Sequence, residues 1–433
     1  MEKYLKGLIE FLNKSYSSFH VIYNVKELLT KNGFEELKEE KGFKLEKGHK
    51  YFVTRNGSSI IAFNIGSDIK DYSFNIVASH SDSPTFKVMP NSDLSSSHYL
   101  RVSTEGYGGM ICSTWLDRPL SIAGRVSVKT KEGVNIKLVN FDKDLCIIPN
   151  VCIHFNRDVN DGYKFNKAVD TIPLLGEDDK LTFKEILAKE VGVEEKNILG
   201  HDLYLYNRDK AKLVGYNNEF ICAPRLDDLE CAYSSLVSLI ETKKESNINV
   251  LYISDNEEVG SLTRQGAAST FLKDILSRVV HCLGGNKEDY KKAIASSFLV
   301  SADNAHAVHP NHPEYSDKLN QSFMNEGIVI KSNASQSYTT DGISSSIFKA
   351  ICDSHNVKTQ YFTNRADLRG GSTLGNISNS QVSLMSIDIG LAQLAMHSSN
   401  ETAGSNDVKT LIKGLKSFYS TSIKIDGDSF LLK

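Results

Sequence analysis

Three short apolar runs, each breaking off in a cluster of charged residues, constrain this chain more than any other feature. FNIVAS (74–79) stops at His80-Ser81-Asp82, NVLYIS (249–254) at Asp255-Asn256-Glu257-Glu258, and SFLVSA (297–302) at Asp303-Asn304-Ala305-His306. Each run is too short for a helix and reads as a buried strand. Between them the periodicity is helical: Leu229, Tyr233, Leu236 and Ile240 recur on one face, and Ser261 to Val280 reads as a further helix. Alternation of this kind implies a mostly parallel sheet covered by helices. In such sheets ligands gather beyond the carboxyl ends of the strands, where these polar clusters fall. A fourth cluster, Met396-His397-Ser398, closes the apolar segment SIDIGLAQLA.

The rest of the chain divides around this pattern. Leu5, Leu8, Ile9 and Leu12 mark an amphipathic first helix. Ser18 can cap a second that runs to about Lys31 and ends at Gly33. Tyr51–Arg55 and Ser58–Ile65, joined by Asn56-Gly57, predict a hairpin. From about residue 93 the runs IAGRVSV, NIKLVNF and CIIPNVCIHF succeed one another without long helices, as in a separate β-rich unit. A chain of 433 residues suits two domains. The expected architecture is one α/β domain from residues 1–92 and 222–433, with a β-rich domain inserted at 93–221.

Composition excludes several classes. A 40% hydrophobic and 24% charged content is that of a folded globular chain. Fifty Lys and Arg against 53 Asp and Glu leave a formal charge of −3, without the basic excess that nucleic-acid binding needs. No run reaches the roughly 18 apolar residues of a membrane span. The N-terminus lacks the apolar core and cleavage site of a secretory signal. The seven cysteines are scattered and form no C-x-x-C, so they read as reduced thiols of a cytoplasmic protein.

Two histidines and several carboxylates at separate strand ends are ligands suited to a pair of zinc-like ions. Carboxylates can bridge two ions about 3.5–4 Å apart, which histidine cannot. In an extended segment Glu257 and Glu258 would point in opposite directions, so that one binds metal and the other stays free as a base. A solvated acidic loop is the plain alternative. Asp227-Asp228, at a predicted helix start, reads equally well as a pair of acids favoured by the helix dipole.

Nine ordered segments carry a resemblance that runs nearly end to end. They include SSFHVI (17–22), VASHSDSPTFKVMP (77–90), YGGMICSTWLDRPLSIAGRV (107–126), ICAPRLDDL (221–229), SDNEEVGS (254–261), SADNAHAVHPN (301–311) and DIGLAQLAMHS (388–398). Through them the chain resembles the aspartyl aminopeptidase family of two-metal peptidases. The resemblance implies a zinc-peptidase-like α/β fold with an inserted dimerisation domain. It implies two divalent ions per subunit, most simply zinc, with cobalt or manganese also compatible. His80 and Asp303 would hold one ion, Glu258 and His397 the other, and Asp227 would bridge them. Glu257 would be the general base, and Asp82 would orient His80.

The same resemblance assigns His154 of the inserted domain to the active site of a neighbouring subunit. His306, Lys331 and Tyr338 would line the pocket for the first side chain, with His309 and His312 as further candidates. One departure bears on specificity: the family's Asn-Gln-Arg-Tyr run is Ser335-Gln336-Ser337-Tyr338 here, with serine in place of arginine. Acidic first residues are thus compatible and neutral ones not excluded. The implied partners are short peptides with a free N-terminus and copies of the chain itself, assembled from dimers up to a dodecamer.

Two other readings accommodate the same residues. A carboxypeptidase or N-deacylase on the same core would need an arginine clamp for a carboxylate, which Arg365 or Arg369 could provide. A metal-stabilised assembly protein without activity would have no use for Glu257.

Overall fold

Strand Phe74–His80 is buried along its whole length because both its faces are covered and both its edges are paired. In a computed structural model describing residues 2–96, 98–177, 181–243, 246–368 and 370–433, it lies at the centre of a nine-stranded sheet. The spatial order is Glu35–Leu37, Lys50–Arg55, Ser59–Ile65, Ile248–Ser254, Phe74–His80, Phe298–Ala302, Met385–Gly390, Ile328–Ser332, Thr359–Thr363. Five neighbouring pairs are parallel and three antiparallel, so the sheet is mixed and mostly parallel, as expected.

Two cores sandwich this sheet. Along Ile248–Ser254, Leu251 and Ile253 face one core while Ile248, Val250 and Tyr252 face the other. The alternation follows from side chains pointing to opposite faces at successive positions. The first core takes helices Lys3–Leu12, Ser18–Lys31, Leu226–Glu241, Gly342–Ser354 and Asp407–Ser420; the second takes Phe271–Cys282 and Lys287–Ala295. His80 stands opposite Ser254, and Ala78 opposite Ser301. The polar segments that follow the three central strands therefore leave the sheet along one edge.

A six-stranded antiparallel sheet has its own core, which includes Phe86, Trp115, Ile122 and Phe183. Its order is Gly133–Asn140, Leu120–Thr130, Ile198–Asn207, Thr85–Ser96, Tyr99–Tyr107, Leu174–Gly176. Strand Thr85–Ser96 starts ahead of residue 93.

Three local expectations change. Ser17 is the N-cap of the second helix and Ser18 its first residue. The helix expected over 261–280 spans only Phe271–Cys282. Residues ahead of it fold back instead, because Thr263 and Gln265 donate to Asn256 Oδ1 at 2.7 and 2.8 Å and Asp255 N donates to the Gln265 carbonyl. SIDIGLAQLA does not make one strand: Met385–Gly390 lies in the large sheet, and Ala392–Leu394 joins a small five-stranded sheet that delivers His397 from a turn. Among the described residues no helix is long and apolar enough to cross a membrane.

Candidate metal centre

His80 is the last residue of its strand and is 1% exposed. Its Nδ1 lies 3.0 Å from the Asp82 carbonyl oxygen, and its Nε2 lies 3.4 Å from Asp227 Oδ1 and 3.9 Å from Asp303 Oδ1. A proton on Nδ1, donated to that carbonyl, leaves Nε2 bare and aimed at the carboxylates. His397 mirrors it: Nδ1 lies 2.9 Å from the Gly109 carbonyl oxygen, and Nε2 lies 3.4 Å from both Asp227 Oδ2 and Glu258 Oε2. Asp227 thus presents one oxygen to each histidine.

Candidate ligand atoms form overlapping groups, each with all its atoms within 4.8 Å of one another: His80, Asp227, Asp228 and Asp303; His80, Glu257 and Glu258; Asp227, Glu258 and His397. All five ligands expected from the sequence meet here. Asp228, which the sequence offered only as a helix-start acid, joins them, and its Oδ2 accepts the His80 N–H at 3.0 Å. Neither aspartate is helical, although the chain turns into Leu226–Glu241 at this point, and the peptide between them is cis. The pair is placed by the site rather than by a helix dipole.

Glu257 and Glu258 are not in an extended segment. They open a short 3₁₀ turn, Glu257–Val259, after Asn256 in the left-handed region, and both carboxylates face His80. Their division of labour therefore cannot come from opposite strand faces. Asp82 holds the turn: Oδ1 accepts the Glu257 N–H and Oδ2 the Glu258 N–H, each at 3.2 Å. Its carboxylate is 3.4 Å from His80 Nδ1, farther than its own carbonyl, so its side chain organises the glutamates and its main chain the histidine.

The electrostatics are those of a site built for cations. Asp227 Oδ1, Asp228 Oδ1 and Glu258 Oε1 are buried without a hydrogen-bond partner. Uncompensated buried carboxylates are costly, and a bound cation satisfies them directly. Burial, and then the neighbouring carboxylates, push Asp228 and Glu258 well above the usual carboxylate range. Burial likewise pushes Glu257 up to about 8, with His80 opposing the rise and Asp303, Asp82 and Asp227 adding to it. Asp227 stays low, because His397 and His80 outweigh its burial. The donor set of imidazole nitrogens and carboxylate oxygens fits zinc.

Lys331 is 1% exposed, and its ammonium donates to the Asp303 and Asn304 carbonyls at 2.8 and 3.2 Å and lies 3.5 Å from Asp303 Oδ2. It sits 5.2 Å over the Tyr338 ring, and His306 meets the ring of Phe362 edge-on at 5.9 Å. His306, Lys331 and Tyr338 therefore gather beside Asp303, around a small apolar cluster that contains Tyr338 and Phe362. His309 and His312 pair with each other on the surface, and His312 engages Glu314. Arg365 is committed to Asp367 through two hydrogen bonds, and Arg369 lies outside the described residues. His154 stands apart from the cluster, on an exposed turn whose neighbours Ile153 and Phe155 are 50% and 87% exposed.

Comparison with known proteins gives a consistent result. Residues 11–419 match the family model described as aminopeptidase I zinc metalloprotease (M18). The Clostridium novyi protein named "Probable M18 family aminopeptidase 2" is 45% identical, over 96% of this chain and 99% of that one. Its counterpart of the same name in Ectopseudomonas mendocina is 37% identical, over 97% and 99%. Among solved structures, a chain of the Ape4 and Nbr1 complex, determined by cryo-EM, superposes with a TM-score of 0.93 at 36% identity, over 96% of this chain and 85% of that one. The S. cerevisiae mApe1 dodecamer superposes at 0.85 with 28% identity, covering 96% of each chain.

Proposed function

This chain belongs to the M18 family of zinc metallo-aminopeptidases, and from that premise we propose how its own residues remove the first amino acid from a peptide. The observation that carries the reading is the convergence of His80 Nε2 and His397 Nε2 on Asp227 within a group of buried carboxylates, of which Asp227 Oδ1, Asp228 Oδ1 and Glu258 Oε1 have no hydrogen-bond partner, with Glu257 beside them. His80, Asp303 and Asp228 would hold one zinc ion, His397 and Glu258 a second, and Asp227 would bridge them. Two ions held so would acidify a water and polarise the scissile carbonyl.

Glu257 is the remaining carboxylate. It takes the proton of the attacking water and passes it to the leaving amine, acting as base and then as acid. Asp82 keeps it in reach by gripping its main-chain N–H. The first side chain enters the cluster of His306, Tyr338 and Phe362, with the Lys331 ammonium in its wall. Among the described residues that ammonium is the one cation in this wall; it would suit an acidic first residue, and without a second cation neutral residues would be admitted as well.

We further propose that the six-stranded sheet, which begins with Thr85–Ser96 and so ahead of the boundary expected at residue 93, forms the dimerisation unit expected at 93–221, inserted between the two parts of the α/β domain. Exposed Val151, Ile153 and Phe155 around His154 are apolar side chains that a partner would cover. His154 would then reach the neighbouring subunit's site and stabilise the developing oxyanion. Dimers would assemble further, up to a dodecamer, in the cytoplasm, where the seven unpaired cysteines remain reduced.

The test is hydrolysis of free-N-terminus dipeptides that differ only in the first residue, with and without chelator, followed by restoration with zinc. Cleavage that survives complete metal removal overturns the two-ion reading. Cleavage restricted to acidic first residues overturns the mixed pocket.

A further inference from the structure

Tyr107 closes a strand of the six-stranded sheet, yet it and the residues after it reach the metal cluster of the other sheet. The Tyr107 hydroxyl donates to Asp82 Oδ2 at 2.7 Å and accepts from Asn256 Nδ2 at 2.8 Å. Gly108 lies against Glu258: a Cβ built on it would stand 3.1 Å from Glu258 Cβ and 3.4 Å from the Glu258 carbonyl oxygen. Its φ of +76° is also a conformation that glycine alone adopts freely. The Gly109 carbonyl lies 2.9 Å from His397 Nδ1, and Ile111 N donates to the His397 carbonyl at 3.0 Å. Three residues further on, Thr114 accepts the Ser399 N–H through Oγ1 and the Ser399 hydroxyl through its carbonyl.

From these contacts we infer that Tyr107–Ile111 is a positioning segment through which the six-stranded sheet holds Glu258, His397 and Asp82 in their metal-binding arrangement. Each contact has a distinct effect. Gly109 selects the His397 tautomer by taking the Nδ1 proton, which leaves Nε2 for an ion, and Ile111 fixes the main chain of the same histidine. Tyr107 orients the carboxylate that grips the Glu257–Glu258 turn. Gly108 allows the backbone to pass over Glu258 without displacing it. The segment touches no substrate in this role; it acts through the ligands.

Linkage makes the relation reciprocal. If the segment stabilises the bound ion, the bound ion stabilises the segment by the same factor. Metal loading thereby becomes sensitive to how the second sheet docks on the first. The inference rests on His397 and Glu258 being ligands of the second ion, so the experiment includes a variant of that ligand.

The whole protein is prepared as wild type, Tyr107→Phe, Gly108→Ala and His397→Ala. Zinc retention is measured by competition with a chelating dye, and amide hydrogen exchange over 107–114 is followed in zinc-loaded and metal-stripped protein. Expected results are a loss of about tenfold in affinity for the weaker zinc in Tyr107→Phe and in Gly108→Ala, the lower end for removing a group that supports a ligand. The rise in unfolding temperature on adding zinc should be smaller in Tyr107→Phe than in the wild type, a difference that losing the two hydroxyl hydrogen bonds in both metal states does not produce, and zinc should slow exchange at 107–114 in the wild type. Wild-type zinc affinity in Tyr107→Phe, with no zinc-dependent protection of 107–114, overturns the positioning role even where His397→Ala loses an ion. Undiminished zinc binding by His397→Ala overturns the ligand reading beneath it, and the inference with it. Should Gly108→Ala fail to fold, Tyr107→Phe and the exchange measurement decide.

Discussion

Asp82 and Glu257 are joined by a hydrogen bond from the Glu257 main-chain N–H to Asp82 Oδ1 at 3.2 Å, while Asp82 Oδ2 takes the neighbouring N–H of Glu258. One buried carboxylate therefore sets the position of both the proposed base and a proposed metal ligand. Asp82→Asn replaces one accepting oxygen with a donor that faces an N–H, which loosens the turn without removing any ligand. The expected outcome is a fall in turnover of about tenfold to a hundredfold, the usual cost of disturbing a group behind the ligands. Steady-state kinetics at saturating zinc checks it, and unchanged turnover would place the control of the turn elsewhere.

Glu257 and Glu258 face the same cluster, so the assignment of base and ligand between them needs a chemical distinction. Glu257→Gln should keep both ions and lose at least about a hundredfold in turnover, as expected when a general base is removed. Glu258→Gln should instead release the more weakly held ion. Metal content by elemental analysis, set beside kcat for each variant, separates the two, and the reverse pattern would exchange their roles.

His154 is exposed in the single chain, and its proposed service in a partner's site predicts complementation. His154→Ala should lower turnover with KM nearly unchanged, because the contact forms only in the transition state. Mixed with Glu257→Gln subunits under exchange, it should regain activity, since a mixed dimer holds one site with both groups intact. Verified mixed dimers without recovery would confine His154 to its own chain.

Glu241 ties three helices together. It accepts from Lys3 and Tyr4 of the first helix at 2.7 Å each and from Lys416 of the last at 2.9 Å, and it closes Leu226–Glu241 itself. Burial raises its carboxyl, but the Lys3 and Lys416 ammonium groups and the Tyr4 hydroxyl outweigh burial and bring it down to about 2 from 4.5. A depressed carboxylate contributes stability that is complete above its unfolded value and is lost as pH falls through the folded one. Glu241→Gln should therefore destabilise by about 1–2 kcal/mol at neutral pH, after allowance for screening. Its difference from wild type should shrink between pH 4.5 and about 2. Unfolding by denaturant at several pH values checks this, and a constant difference would mean that packing, not charge, is responsible.

The apolar runs at 74–79, 249–254 and 297–302 determined by themselves that three buried strands would exist and that His80, Glu257, Glu258 and Asp303 would follow their carboxyl ends; that the three lie side by side was decided by the fold. Local periodicity suffices for the strands themselves, because a strand buried on both faces has to be apolar at successive positions. The ordered motifs carried the family, and with it the roles expected of Asp227 and His397. Several relations were decided only by the tertiary structure. Asp228 sits among the candidate ligands because its segment departs from helical geometry at Asp227 and Asp228, which no helical periodicity announces. Glu257 and Glu258 share a turn rather than opposite faces of a strand because Asp82, some 175 residues away, holds both their N–H groups. Gly109 reaches His397 across 288 residues through a main-chain carbonyl. Hydrogen bonds to backbone atoms leave no trace in side-chain identity; the Asp82 contacts exist only once Phe74–His80 and Ile248–Ser254 have paired, and the Gly109 contact only once the six-stranded sheet has docked.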